Sequence, residues 1–350
     1  MDATRFKPVA SMYTPNISYT YPGKLNTELI KPLRVGVPAP QDLFTIIQGV
    51  RCGEYLHYIQ PLTSALSKAS GTCDPVYTQA GSITDRQLVT GDFRVNMEFC
   101  EEEFTAVCTV LIDKYIGQGV DAYEIQSNLQ SLIFEQIVEQ MKVDVMKVMF
   151  FGDNSLGAGS TSIYSVIDGV FTKFLDNEAS YCVQPINNAT FPNQHNSILA
   201  ADNARDVLRQ IWEQSSLILR ALPDNQKAFW VTQSVWDNYF QSLLTNCCVE
   251  GSWKMGQDGV NKLFYRGIEL FPLPFADLSL SSETGNPFYD EIRHFAVLTA
   301  KSNHYMGVER ASDLNNLTSC FDCRTNSNLF KGRMRFGYNF VQCDLIAWAK

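Results

Sequence analysis

The sequence predicts an α+β chain of several subdomains, and three observations carry that prediction. One long stretch of helical periodicity spans residues 121–150. Strict alternation marks strands at 93–99 and 334–340, and a close succession of helix, strand and helix occupies 203–271. With 350 residues, 45% hydrophobic and 12% aromatic, the chain has ample material for a core and exceeds a single small domain.

Residues 1–45 are rich in Pro, Tyr, Thr and Asn and follow neither period. Pro8, Pro15, Pro22, Pro32, Pro38 and Pro40 withdraw backbone donors and favour extended chain, so the segment reads as a tail or as an arm laid on a neighbour. Residues 83–100 read as a hairpin with Gly91-Asp92 near its turn. In its second half Phe93, Val95, Met97 and Phe99 share one face, with Arg94, Asn96, Glu98 and Cys100 on the other, the pattern of a half-buried antiparallel strand.

Asp121 then stands where a carboxylate caps free helix amides, with Glu124 at the reciprocal position. Ile125, Leu129, Leu132, Ile133, Ile137, Met141, Val145 and Val148 recur at helical spacing, and Gly152 is the expected stop. A helix of that span is ~45 Å long at 1.5 Å per residue and has one apolar stripe, leaving its other side for solvent or a neighbour. Residues 203–220 read as one amphipathic helix and Pro223-Asp224-Asn225 as a turn. A strand is expected at 228–232, and Ser234 as the cap of a second helix bearing Val235, Trp236, Tyr239 and Phe240. A strand at 267–271, a Pro/Ser-rich loop and a strand at 294–299 follow. The chain closes with Tyr305-Met306-Gly307-Val308, the alternation of Met334, Phe336, Tyr338 and Phe340, and an apolar run at 345–348.

Composition narrows the function. Charged residues are only 19%, below the usual quarter, so much of the surface is expected to be covered by partner subunits. A net charge of −9 disfavours tight binding of a polyanion such as nucleic acid. No apolar run reaches membrane-span length, and the amino end lacks the apolar stretch of a secretory signal. Ten cysteines scattered along a long chain read as mostly reduced thiols in a cytosolic setting.

Motifs for catalysis are weak. Gly117-Gln118-Gly119 precedes a helix as a dinucleotide fingerprint does, yet Asp121 and Glu124 would put two negative charges where the pyrophosphate must sit; a loop leading into a capped helix explains the glycines. The glycines at 152–159 lack the Lys-Ser/Thr of a phosphate loop. Cys320 and Cys323 form a C-x-x-C pair with no second pair to complete a tetrahedral zinc site. His57, His195, His294 and His304 fall in unrelated contexts, with no H-E-x-x-H and no G-x-S-x-G. The tail with Phe330, Lys331, Arg333, Arg335 and Phe336 has the residue types for stacking on nucleic acid. Its alternation, however, puts both arginines on one strand face, the mark of ion pairs between subunits or of a solvated edge. The sequence asks for no cofactor and no metal, and an enzyme is not the expected reading.

The order of elements carries more than any motif. An extended arm, a hairpin, a lone long helix running into Gly152-Asp153, an α/β subdomain and returning strands together resemble the major capsid proteins of tailed double-stranded DNA bacteriophages, with the Hong Kong 97-type fold. Asp168-Gly169-Val170 is similar to that family's turn after its spine helix. Phe229-Trp230-Val231-Thr232 with Ser234-Val235-Trp236 is similar to its axial strand and Trp-bearing helix, and Arg266-Gly267-Ile268-Glu269-Leu270 to a further axial strand. Residues 296–299, Met306-Gly307-Val308 and 336–346 are similar to the closing strands.

The resemblance implies an N-terminal arm at 1–50, an extended hairpin at 51–105 and a peripheral domain at 106–190 holding a spine helix at 121–150. An axial domain at 191–293 and return strands of the peripheral domain at 294–350 complete it. It implies a structural protein that self-assembles into hexamers and pentamers around phage DNA, which it encloses without sequence-specific binding. Scaffolding, portal and decoration proteins are its possible further partners. It would be made in a bacterial host's cytoplasm and reside in the virion, with no membrane partner. The sites are then interfaces: Phe93, Val95, Met97 and Phe99 on the hairpin, Tyr13 and Tyr21 on the arm, and Arg333 and Arg335. On this reading the pair Val95→Asp and Met97→Asp permits folding yet abolishes shells. No local pattern around Lys68 marks a covalent crosslink. The alternatives are an encapsulin-type compartment shell, which shares the fold, and a thiol- or zinc-dependent enzyme using Cys320 and Cys323.

Overall fold

The computed structural model describes residues 37–51, 53–59, 83–100, 122–157, 160, 162–178, 184–185, 191, 198–245, 253–255, 261–289, 291–310, 317–322 and 327–350. Tyr13, Tyr21, Lys68, Asp121 and Cys323 lie outside them. Two sheets and one long helix dominate. The first sheet places β1 (Thr45–Gln48), β11 (His304–Val308), β13 (Ser327–Phe340) and β12 (Leu317–Asp322) side by side, with β4 (Gly91–Cys100) also paired to β13. The second has seven strands in the order β5 (Gln184–Pro185), β14 (Ile346–Ala349), β10 (Ala296–Ala300), β6 (Lys227–Val231), β9 (Ile268–Pro272), β8 (Asn261–Tyr265) and β7 (Trp253–Met255).

Strands β14, β10 and β6 of the second sheet are buried on both faces, as a sheet covered on both sides requires. Ala228, Trp230, Val297, Ile346 and Trp348 point into one core. Phe229, Val231, Ala296, Leu298 and Ala347 point into another. The first core receives α1 (Pro40–Leu43), α2 (Ala122–Phe151), α3 (Val170–Glu178) and α7 (Pro274–Ser282). The second receives α4 (Asn203–Gln214), α5 (Leu217–Ala221) and α6 (Gln233–Thr245). The first sheet meets the same core as α2 through Met306, Val308, Met334, Phe336, Tyr338 and Phe340, so the end of α2 is wedged between two sheets. Residues 145–151 are buried on every side there, beyond the single stripe expected from periodicity. Phe150 meets Phe44, Trp230 and Phe275 edge-on at 5.5–5.8 Å, the geometry that aromatic quadrupoles favour.

The expected stop at Gly152 is a backbone crossing. Gly169 N–H donates to the Gly152 carbonyl at 2.8 Å, and a Cβ on Gly169 would sit 2.7 Å from the Gly152 nitrogen and 2.8 Å from the Met149 carbonyl. Only glycine admits so close an approach, which is why Asp168-Gly169-Val170 can fold back on the helix end. Asp168 fastens the turn by accepting from Asn154 N–H at 3.0 Å and pairing with Lys173 at 3.0 Å.

Several expectations need correction. Residues 83–100 are not one hairpin: β3 (Ile83–Leu88) pairs antiparallel with β2 (Glu54–Ile59), whereas β4 pairs with β13. Gly91 is a packing point, not a turn, since a Cβ there would meet Val166 Cγ1 at 2.5 Å. The helix expected over 203–220 breaks at Ser215-Ser216, where the Ser216 hydroxyl accepts from Leu219 N–H at 3.0 Å and starts α5. The Pro/Ser-rich loop contains α7. Ser234 does not cap α6 with its side chain; Asp277 of α7 accepts from Gln233 N–H at 2.5 Å and Ser234 N–H at 3.3 Å. The strands at 296–300 and 346–349 join the same sheet as 227–231, so hydrogen bonds cross the expected boundary at 293/294. Cys343 is disulfide-bonded, which departs from the reading of reduced thiols.

Candidate assembly surface

The hairpin β2–β3 is built to present two different faces. Its register sets Leu56 opposite Arg86, Tyr58 opposite Thr84 and Ile59 opposite Ile83. Alternation then turns Leu56, Tyr58 and Leu88 toward a small core with Ile47, Val50, Tyr305 and Val341. The outer face carries Tyr55, His57, Ile59, Ile83, Asp85 and Gln87. The His57 imidazole and the Asp85 carboxylate pair across the strands at 2.6 Å, and the Tyr55 ring stacks on His57. Beyond them Tyr55 is 57% exposed, and Ile59 and Ile83, directly opposed at the far end of the described strands, are each 68% exposed. A two-stranded ribbon is marginal alone in water, and cross-strand aliphatic pairs stabilise it best when something covers them.

The strand residues singled out from sequence have other surroundings. Phe93 stacks on Phe336 at 4.2 Å, Phe99 meets Phe330 edge-on at 5.7 Å, and Val95 packs on the same core. Three of the four thus lean on the chain's own interior, while Met97 is exposed. Val95→Asp would therefore strain folding itself, and the substitution pair at 95 and 97 does not separate folding from assembly. Arg335 binds Asp92 through Nε at 2.6 Å and Nη2 at 2.9 Å, and Arg333 Nη2 reaches the same carboxylate at 3.3 Å. Arg335 Nη1 also donates to the Arg51 carbonyl at 2.6 Å, and Glu309 faces Arg51 and Arg335. These hydrogen bonds, Arg335's first, hold the Asp92 carboxyl below its ordinary range. Arg333 and Arg335 do share a strand face, as the alternation requires, and their partners include acids of the same chain.

Sequence reasoning missed Ile59 and Ile83. Residues 54–59 read Glu-Tyr-Leu-His-Tyr-Ile, with apolar side chains on both faces, so no clean period-two signal marks the outer one. It also missed the exposed Leu217, Ile218 and Leu244 on the helices of the second sheet. Cys320 is a free, exposed thiol. Among the described residues no group of three or more His, Cys, Asp or Glu is placed to hold a metal ion, and no helix is long and apolar enough to cross a membrane.

These features define a class: a mixed α+β chain with one long helix wedged between two sheets and a two-stranded hairpin leading off at the root of the first. No family model matches the sequence, and no curated protein does. Solved structures do. The chain superposes on that of Gordonia phage Cozz at 13% identity, covering 94% of this chain and 91% of that one with a TM-score of 0.54. It superposes on the capsid of an empty GTA particle at 12% identity, covering 95% and 94%, TM-score 0.54. The capsid of the Cyanophage P-SCSP1u matches at 12% identity over 94% and 92%, TM-score 0.53. The chain has the Hong Kong 97-type capsid fold, as the order of its elements implied.

Proposed function

We propose that this chain is the major capsid protein of a tailed double-stranded DNA phage. It self-assembles into hexamers and pentamers that close an icosahedral head. The observation that carries this reading is the open outer face of the β2–β3 hairpin, with Tyr55, Ile59 and Ile83 left in solvent on an element too thin to stand alone. The match in fold to phage and GTA capsids supports it, and favours a DNA container over the encapsulin-type compartment. On this reading residues 1–50 are an arm carrying Tyr13 and Tyr21 onto neighbours, and Met97 is the strand residue left for contact. Phe93, Val95 and Phe99, on the same strand face, anchor that strand on the core, and Arg333 and Arg335 brace the hairpin's root. The protein is structural, resides in the virion after assembly in the host cytoplasm, and takes scaffolding, portal and decoration proteins as further partners. Its net charge of −9 suits a wall that confines DNA without holding it.

The test is negative-stain electron microscopy of the purified chain across a range of protein and salt concentrations. Closed shells or rings of five and six subunits are expected. A protein that stays monomeric under all conditions overturns the reading, and shells formed in the native host around folded protein cargo in place of DNA overturn the phage assignment.

A further inference from the structure

Among the described residues the hairpin's inner face rests on the body through Leu56, Tyr58 and Leu88, and near its root the Arg86 side chain ties it to the first sheet and to the segment that follows β13. The guanidinium carbon of Arg86 lies 4.5 Å from the centre of the Phe340 ring, and its Nη2 abuts the sulfur of the disulfide-bonded Cys343. Beside it, Asn339 Nδ2 donates to the Gln87 carbonyl at 2.7 Å. Leu88 is fully buried against Gly307, where a Cβ would come within 2.7 Å of Leu88 Cδ2. An apolar plug such as Leu88 fixes where the ribbon is rooted but resists tilting weakly, because dispersion contacts are not directional. A planar guanidinium laid on an aromatic face fixes a direction as well. Arg86 is placed to do so, two residues out from the plug and on the same strand face.

We propose that Arg86 is the positioning residue that sets the direction in which the hairpin leaves the body, and thereby the curvature at which subunits meet. The second clause rests on the capsid reading; the first does not. Arg86→Met keeps the apolar stem and removes the fork, and Arg86→Lys keeps the charge over Phe340. With nitroxide labels on non-cysteine handles at Tyr55 and Leu278, the distance distribution in unassembled subunits should be narrow in the parent chain. It should broaden at least twofold in Arg86→Met and recover part of the way in Arg86→Lys, with far-UV circular dichroism unchanged. Micrographs should show one shell diameter for the parent and mixed diameters or open sheets for Arg86→Met. Should Arg86→Met fail to fold, Arg86→Gln takes its place with the same expectations. A distribution as narrow as the parent's overturns the positioning role. A broadened distribution with shells of unchanged diameter overturns the link to curvature. A parent chain that forms no shells overturns the capsid reading, and the distance measurement still decides the role of Arg86.

Discussion

His304 is a titratable group in the middle of the fold with no route to water. Its Nδ1 is bonded to the Tyr338 hydroxyl at 2.7 Å and its Nε2 to the Thr299 hydroxyl at 2.6 Å, and its ring lies 4.4 Å from that of Trp230. Burial pushes the imidazole down to about 3, so it is neutral in the folded chain, while in the unfolded chain it titrates near ~6.5. Between those two values the unfolded state binds one proton more than the folded state. Stability therefore falls as pH drops from about 6.5 toward 3, by up to ~1.4 kcal/mol per pH unit, and His304 adds no slope above that window. Urea midpoints measured between pH 6.5 and 4.5 should decline in the parent chain. His304→Gln, though less stable near neutrality, should decline less steeply. An identical slope in the variant would show that another group is responsible. Much of this was legible: alternation along 304–308 puts His304 on the face of Met306 and Val308. What alternation cannot show is that Tyr338 and Thr299 arrive from β13 and β10 to satisfy both nitrogens.

At the scale of elements, the buried end of α2 carries a charge that demands an answer. Lys147 has a side chain only 9% exposed and pairs with Glu283, just past the end of α7. The Tyr164 hydroxyl donates to Glu283 Oε2 at 2.6 Å, and Ser279 Oγ donates to it at 3.0 Å. Burial alone would raise the Glu283 carboxyl, but Lys147, Tyr164 and Ser279 together hold it below the ordinary carboxylate range. A depressed acid contributes stability above its unfolded value near ~4.3 and loses that contribution as pH falls through the folded value. Lys147→Met removes the cation and leaves a partly buried carboxylate unpaired. It should cost on the order of 2–4 kcal/mol at neutral pH, read from denaturant unfolding, and Lys147→Met with Glu283→Gln should regain part of that loss. A double variant no more stable than the single one would show that the pair itself is not the clamp between α2 and α7. The clamp also shows where sequence reasoning stops. Pro274 and Ser281-Ser282 look like loop punctuation, yet Pro274 stands in the first helical turn, where its missing N–H costs nothing, and Phe275, Ala276, Ser279 and Leu280 face inward. The cap of α6 is likewise invisible locally, because Asp277 comes from more than forty residues downstream. β3 found its partner across residues 60–82, not at the nearer Gly91-Asp92, since strand alternation alone does not say which strand lies alongside.

For the whole molecule, low charge and open apolar surface make one argument. Only 19% of the residues are charged, and the hairpin leaves Ile59 and Ile83 bare at its far end. A standard interface buries ~1,600 Å², and at ~25 cal/mol per Å² of apolar area such contacts far outweigh surface ion pairs of ~0–1 kcal/mol. In the proposed hexamers and pentamers each contact is repeated around a closed ring, so a small loss per contact is multiplied. Placing aspartates at both positions, Ile59→Asp with Ile83→Asp, sets two like charges opposite one another on the outer face. Within the subunit this should change stability by no more than ~1 kcal/mol, because neither side chain is buried and like charges across a strand pair repel only weakly in water. At any contact that covers the hairpin it places two charges in an apolar seam, where each is strongly unfavourable. Sedimentation velocity should show the parent chain as large particles and the double variant as folded subunits at the same concentration and salt. Shells of normal size from the double variant would mean that the far end of the hairpin stays in solvent after assembly, and would move the search for the interface to Leu217, Ile218 and Leu244.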